Sequence, residues 1–183
     1  MNFIPTKLQG CFIIEPNVIS DERGYFMESY NENTLRDMTG LDLRFVQDNQ
    51  SLSGKGVLRG LHYQTGMHSQ AKLVRVLAGE VLDVAVDVRP DSPTFGEYTT
   101  VILSSETHKQ IFIPRGFAHG FLVLSESASL FYKCDNFYYK ESEGGIVYND
   151  EILNIDWQFT EEQLIISEKD RTQPSFLNAK KVW

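Results

Sequence analysis

The middle of the chain is a close succession of short apolar stretches, each ended by turn residues, and that pattern leaves room for little besides antiparallel β-structure. RGYFMESY at 23–30, RFVQDNQSLS at 44–53, VLRGLHYQ at 57–64, KLVRVL at 72–77 and EVLDVAVDV at 80–88 read as strands. So do EYTTVILS at 97–104, KQIFIP at 109–114, GFLVL at 120–124 and SLFYKCDNFYY at 129–139. Almost nothing with a helical period separates them, so the crossovers that a parallel sheet needs are missing. Alternation is clean in 80–88: Leu82, Val84, Val86 and Val88 share one face, Val81, Asp83, Ala85 and Asp87 the other. This predicts one dry face and one that carries two carboxylates. Ala78-Gly79 and Arg89-Pro90-Asp91-Ser92-Pro93 supply the turns at its ends. Helix is predicted only over Asn31 to Met38, capped by Asn31 or Asn33, and as one turn after Thr160. From 141 onward the pattern loosens, and that tail is predicted to pack on the sheets as irregular structure. Many short strands at near-regular spacing make a sandwich or barrel, and the jelly roll is the version that holds a small ligand between its sheets.

With 183 residues, the chain is long enough to bury roughly 70% of its unfolded surface around one core. No repeat, low-complexity tract or Ser/Pro-rich linker divides it, so residues 1–183 are read as one domain. Seventeen Lys plus Arg against twenty-five Asp plus Glu give a net charge of −8. That excludes a general affinity for nucleic acid or an anionic membrane, and an anionic ligand must be met by a few placed basic side chains. Cys11 and Cys134 are far apart and in no C-x-x-C spacing, which indicates neither a disulfide framework nor a zinc site and fits a reducing compartment. The N-terminal stretch has one Lys and an apolar run of only four residues, Cys11 to Ile14, too short for a signal sequence or a membrane span. A cytoplasmic location is expected.

His62, Lys72, Asp83, His119 and Tyr132 interrupt this apolar β context. Each is either a solvated outer-face residue or part of a pocket lining. Lys72 shares parity with Val74 and Val76. Its ammonium therefore points with apolar side chains, an expensive placement unless paired or functional, or else it lies on a solvated edge strand. Taken alone, Tyr132 is one aromatic among Phe131, Phe137, Tyr138 and Tyr139, and Asp170 is one charge in the run Glu168-Lys169-Asp170-Arg171.

Pro114-x-Gly116-x-x-His119 within IFIPRGFAHGFLVL resembles the second motif of the cupin superfamily, and LRGLHYQTGMHSQAKLVRVLAGEVLDVAVDV resembles the first. The usual His-x-His pair is absent, because Tyr63 and Gln64 follow His62. His68 and His108 read as surface residues, so at most His62 and His119 remain as metal ligands where three or four must converge. The resemblance then narrows. Asp21-x-Arg23-Gly24-x-Phe26, Gln47-Asp48-Asn49-x-Ser51, the run Val57 to Gln64, Lys72-Leu73-Val74-Arg75-Val76, Ser92-Pro93-Thr94-Phe95-Gly96, Pro114-x-Gly116-Phe117-Ala118-His119-Gly120-Phe121, Tyr132-Lys133 and Ser167-x-Lys169-Asp170 follow one another along nearly the whole chain. Together they are similar to the dTDP-4-dehydrorhamnose 3,5-epimerase family.

That resemblance implies a mainly β cupin-type jelly roll and a cofactor-free, metal-independent isomerase of dTDP-rhamnose biosynthesis. Its substrate would be a nucleotide sugar, dTDP-4-keto-6-deoxyglucose, whose C4 ketone acidifies the protons on C3 and C5. Inverting either carbon needs a base on one face, an acid on the other and stabilisation of the enolate between them. His62 is the candidate base, since an imidazole both accepts and releases a proton near neutral pH. By resemblance Asp170 orients it, Tyr132 is the acid, and Lys72 sits at the C4 oxygen with His119 assisting and Asp83 behind them. Arg23 and Arg59 would meet the pyrophosphate, for which the planar guanidinium fork is suited. Phe26, Glu28, Gln47, Asp48, Asn49, Tyr138, Glu143 and Lys169 would hold thymine and sugar. Arg59 and His62 have opposite strand parity, so they share a pocket only if Gly60 bends or bulges the strand. The family also implies a homodimer paired through N-terminal strands, with Arg23 and Phe26 completing the neighbour's site. The alternatives are an epimerase acting at C3 or C5 alone, a related ketoisomerase, a metal-dependent cupin oxygenase and a non-catalytic sugar-binding cupin.

Overall fold

The computed structural model describes residues 1–183. In chain order its strands are β1 (Asn2–Pro5), β2 (Phe12–Glu15), β3 (Val18–Asp21), β4 (Gly24–Met27), β5 (Gln47–Gly54), β6 (Val57–Gln64) and β7 (Lys72–Ala78). These are followed by β8 (Glu80–Asp87), β9 (Tyr98–Ser104), β10 (Gln110–Ile113), β11 (Phe117–Val123), β12 (Ser127–Cys134), β13 (Glu143–Gly145) and β14 (Ile165–Ile166). Two helices, α1 (Glu32–Thr39) and α2 (Glu168–Arg171), lie outside the sheets. One sheet has the order β1-β2-β10-β7-β12-β5 and the other β13-β6-β11-β8-β9, with β14 added beside β6. The β3–β4 hairpin stands apart as a two-stranded sheet. Only β14 pairs in parallel; every other ladder is antiparallel.

All nine predicted strands are present with shifted ends; the longest, 129–139, is realised as Ser127–Cys134 because Asp135 leaves the ladder to accept from the Ala71 amide. The strands that pattern did not announce, β1, β2, β3, β13 and β14, have four residues or fewer, too few for a period to register. Asn31 caps α1 through its side-chain oxygen, which accepts from the Thr34 amide at 3.1 Å, and Gly40 closes it at φ 71°. The turn at 160 is a single 3₁₀ turn, Glu161–Gln163, tied by the Gln163 amide oxygen to the Thr160 N–H at 2.8 Å.

Strand β8 corrects the expectation of one dry face: Val81 to Asp87 are buried on both sides. Val81 and Ala85 face Val74, Val76, Ile111, Ile113 and Leu130 between the sheets. Leu82, Val84, Val86 and Val88 turn outward against Ile146, Tyr148, Leu153, Trp157, Phe176 and Val182. The irregular tail therefore covers what would otherwise be an exposed apolar sheet face, and the Trp157 indole anchors it by donating to the Tyr148 carbonyl at 2.8 Å. Asp87 is held by the Arg89 guanidinium and the Ser92 and Thr94 hydroxyls, a structural knot at the strand end. Cys11 and Cys134 are free and buried. No helix is long and apolar enough to cross a membrane.

Candidate functional site

Between the two sheets, at one end, lies a cavity of about 560 Å³. The sheet registers show how it is lined. In the first sheet Gln47, Cys134 and Lys72 are opposite one another, and two residues along, Asn49 and Tyr132 form the next row on the same face. In the second, Gly145, His62 and His119 make a row, and Arg59, Phe121 and Asp83 the neighbouring one. His62, Lys72, His119, Tyr132, Arg59, Gln47, Asn49, Tyr138, Glu143, Lys169 and Asp170 all line this single space.

A bulge resolves the parity of Arg59 and His62. Phe121 pairs with Arg59 and His119 with His62, so two steps on β11 match three on β6. Gly60 absorbs the extra residue at φ 130°, and a Cβ there would come within 2.5 Å of the Gly120 Cα and 2.9 Å of the His119 carbonyl oxygen. Gly60→Ala is therefore expected to destabilise the fold by about 3 kcal/mol. Thermal unfolding should show it as a fall in Tm of roughly 6–12 °C. The bulge also frees the Gly60 N–H, which donates to Asp170 Oδ2 at 3.3 Å while Asp170 Oδ1 engages His62 Nε2 at 2.7 Å. Helix α2 aims this carboxylate: Ser167 caps it by accepting from the Asp170 amide at 3.2 Å, leaving Asp170 the one buried residue of the helix. Burial alone would raise the Asp170 pKa, but the His62 and Gly60 bonds together hold it below the ordinary aspartate value. His62 Nδ1, the other ring nitrogen, is left for whatever enters the cavity.

Lys72 is 8% exposed. Its ammonium lies 5.7 Å from the centre of the Tyr132 ring and takes part in no ion pair. Burial lowers its pKa, with the surrounding Cys134, Asp83 and Glu143 opposing that shift. Burial likewise raises the pKa of the Tyr132 phenol, whose ring is 6.4 Å from that of His119. His119 Nε2 is bonded to the fully buried Asp83 at 2.8 Å, so Asp83 holds His119 from behind.

Bordering both Lys72 and His62, Glu143 has Oε1 accepting from Lys169 at 2.6 Å and Oε2 from the Tyr138 hydroxyl at 3.2 Å. Two glutamines fix the adjoining loop: Gln47 accepts from the Tyr138 amide and Gln64 from the Tyr139 amide, each at 3.0 Å. Arg59 presents its guanidinium after anchoring Nε on Ser53 at 3.1 Å. Gln64, Gln70 and Ser167 also line the cavity; all three stand in the segments quoted above without a role, since a polar residue beside a strand end carries no signal of its own.

Asp48 is a correction. Lying between the inward Gln47 and Asn49, it faces out of β5 and pairs with Lys133 at 3.0 Å. Arg23, Phe26 and Glu28 do not reach the cavity of their own chain: Arg23 pairs with Asp21, Glu28 accepts from Asn31, and Phe26 is 71% exposed. His68 and His108 are half-buried rather than lying free on the surface: His68 stacks on Tyr139, and the His108 ring packs at a tilt against Tyr25. No group of three or more His, Cys, Asp or Glu side chains is placed to hold a metal ion.

The family model described as dTDP-4-dehydrorhamnose 3,5-epimerase matches residues 5–178. A dTDP-4-dehydrorhamnose 3,5-epimerase of Shigella flexneri is 50% identical over 98% of both chains. The crystal structure of the dTDP-4-dehydrorhamnose 3,5-epimerase from Elizabethkingia anophelis superimposes with a TM-score of 0.95 at 55% identity, covering 100% of this chain and 99% of that one. A dTDP-6-deoxy-D-glucose-3,5-epimerase from Legionella pneumophila, solved in complex with dTDP-4-keto-L-rhamnose, has a TM-score of 0.93 at 51% identity over 97% of this chain and 93% of its own.

Proposed function

The chain belongs to the dTDP-4-dehydrorhamnose 3,5-epimerase family, and from that premise we propose that its cavity inverts C3 and C5 of dTDP-4-keto-6-deoxyglucose to give dTDP-4-keto-L-rhamnose. The single observation that carries this reading is the His62–Asp170 pair, which opens on the same cavity as Lys72 and Tyr132. His62 Nδ1 takes the proton from a carbon next to the C4 ketone, and the electron pair of that C–H bond moves onto the C4 oxygen. Asp170 keeps the imidazole in the right tautomer and offsets the imidazolium that forms. The Lys72 ammonium faces the developing charge on oxygen, helped by His119. Tyr132 returns a proton to the opposite face of the same carbon, which completes one inversion.

A lowered Tyr132 pKa is one way a phenol could act as this acid, but burial moves it the other way. The phenol therefore stays protonated at neutral pH, and the strong basicity of the enolate carbon makes up for its weakness as an acid. Exchange with solvent resets His62 and Tyr132 before the second carbon reacts. The nucleotide lies against Arg59 at its pyrophosphate and against Gln47, Asn49, Tyr138, Glu143 and Lys169 at the base and ribose. Completing the pyrophosphate site falls to the β3–β4 hairpin of a second copy: Ile19 is 66% and Phe26 71% exposed on it, as suits an arm seated in a homodimer with Arg23 and Phe26 delivered to the neighbour. The reading treats residues 1–183 as one cytoplasmic catalytic domain.

The test is NMR of dTDP-4-keto-6-deoxyglucose in D₂O with chelator-treated protein. Loss of both the C3 and C5 proton signals is the expected result. Loss of one alone makes the protein a single-site epimerase, and retention of both overturns the assignment.

A further inference from the structure

Lys180 lies outside the cavity but touches the backbone that builds one wall of it. Its ammonium donates to the carbonyls of Glu141 at 3.1 Å and Glu143 at 2.9 Å, and its own carbonyl accepts from the Tyr63 hydroxyl. The chain on both sides of it is fixed, with Phe176 and Val182 buried in the core and the Val182 carbonyl accepting from the Gly66 amide at 2.7 Å. The wall it touches is weak by itself. Strand β13 has three residues, sits at the edge of its sheet, and is Glu143-Gly144-Gly145, so Glu143 is its only side chain beyond hydrogen. Glycine pairs hold a strand poorly because they add backbone freedom and no packing. Yet the Glu143 carboxylate must sit accurately, since it bonds both Lys169 and Tyr138.

We propose that Lys180 is a positioning residue for the nucleotide end of the cavity: it clamps the Glu141 and Glu143 carbonyls from behind and so fixes the carboxylate that sets Lys169 and Tyr138. The inference rests on the reading that this end takes the nucleotide. His62 borders β13 through Gly145, but it is also held by Asp170 and by the His119 row of β11, whereas Glu143 stands on the edge strand itself, so loosening the clamp affects binding of the nucleotide more than the proton transfers.

The experiment compares Lys180→Met, which keeps the stem and loses the donors, with Lys180→Arg, whose fork can still serve two carbonyls. Lys181→Met is the control, an exposed neighbour that makes no ion pair. Lys180→Met is expected to raise both KM for the sugar nucleotide and Kd for dTDP, read by calorimetry, about five- to tenfold. Its kcat should stay within about twofold, Lys180→Arg should recover most of the loss, and Lys181→Met should match the parent. Unchanged KM and Kd in Lys180→Met overturn the proposal. So does a fall in kcat and Tm with Kd for dTDP unmoved, which would make Lys180 a structural residue only. Should the parent protein bind dTDP but leave the C3 and C5 protons in place, the epimerase reading fails, while the dTDP series still decides the role of Lys180.

Discussion

His62→Gln is expected to lower kcat by about 10²- to 10⁴-fold, the range removed with a general base, and to stop deuterium entering C3 and C5. Glutamine is the informative replacement because its amide nitrogen reaches about as far as Nε2 and can still donate to Asp170, which is 4% exposed and accepts 2.7 Å from the imidazole. Alanine would leave a buried carboxylate without its partner and confuse lost chemistry with lost stability. The same pair gives the acid dependence its sign. Asp170 has its folded pKa held below the ordinary value, so the stability it contributes is present above the unfolded aspartate pKa and disappears as pH falls through the lower folded one. In His62→Gln the hydrogen bond stays but the attraction of the imidazole charge is lost, so part of that depression goes and acid unfolding should begin at higher pH than in the parent. Retained kcat in the glutamine variant would remove His62 from the reaction; lost kcat with C3 and C5 exchange intact would place it in product release.

Residues that break a local rule were the most legible part of the site. Lys72 declared itself by sharing parity with Val74 and Val76, and it is buried beside them between the sheets. Gly60 was readable as the one residue able to bring Arg59 and His62 to the same space, and the register confirms the bulge. Asp48 could have been set aside by the same parity argument, since Gln47 and Asn49 are the inward pair. A motif that runs along a strand spans both of its faces, and only every second residue can reach the cavity. Asp170 and Glu143 were beyond pattern, because one is aimed by a four-residue helix and the other by a three-residue edge strand. Their positions depend on long-range contacts, with Gly60, His62 and Lys180, that no local period encodes. The two-sided burial of β8 was hidden for a related reason: the residues that cover its outer face lie far later in the chain, from Ile146 onward, in a tail with little regular structure.

Lys72→Met should split activity from stability in opposite directions. An ammonium beside the C4 oxygen is a preorganised charge in a site shielded from water, and its removal is expected to reduce kcat by about 10²- to 10³-fold. Methionine has nearly the same length and no charge, so packing against Val74 and the Tyr132 ring is kept. Stability should rise, because the charge is held without an ion pair and burial lowers its pKa. The sign follows from linkage: a base that binds its proton less tightly folded than unfolded weakens the fold while protonated, and the penalty is relieved as pH climbs through the folded pKa toward the unfolded one. At neutral pH the variant should therefore gain about 1–2 kcal/mol. In a protein of this size that is a rise in Tm of roughly 2–8 °C, and the parent's gain in Tm at alkaline pH should be absent from the variant. A fall in Tm would mean that Lys72 is a structural cation whose charge the fold needs; unchanged kcat would detach it from the enolate. If both expectations hold, the cavity keeps an ammonium that weakens the fold because only a positive charge placed there before reaction can meet the negative charge as it forms on oxygen.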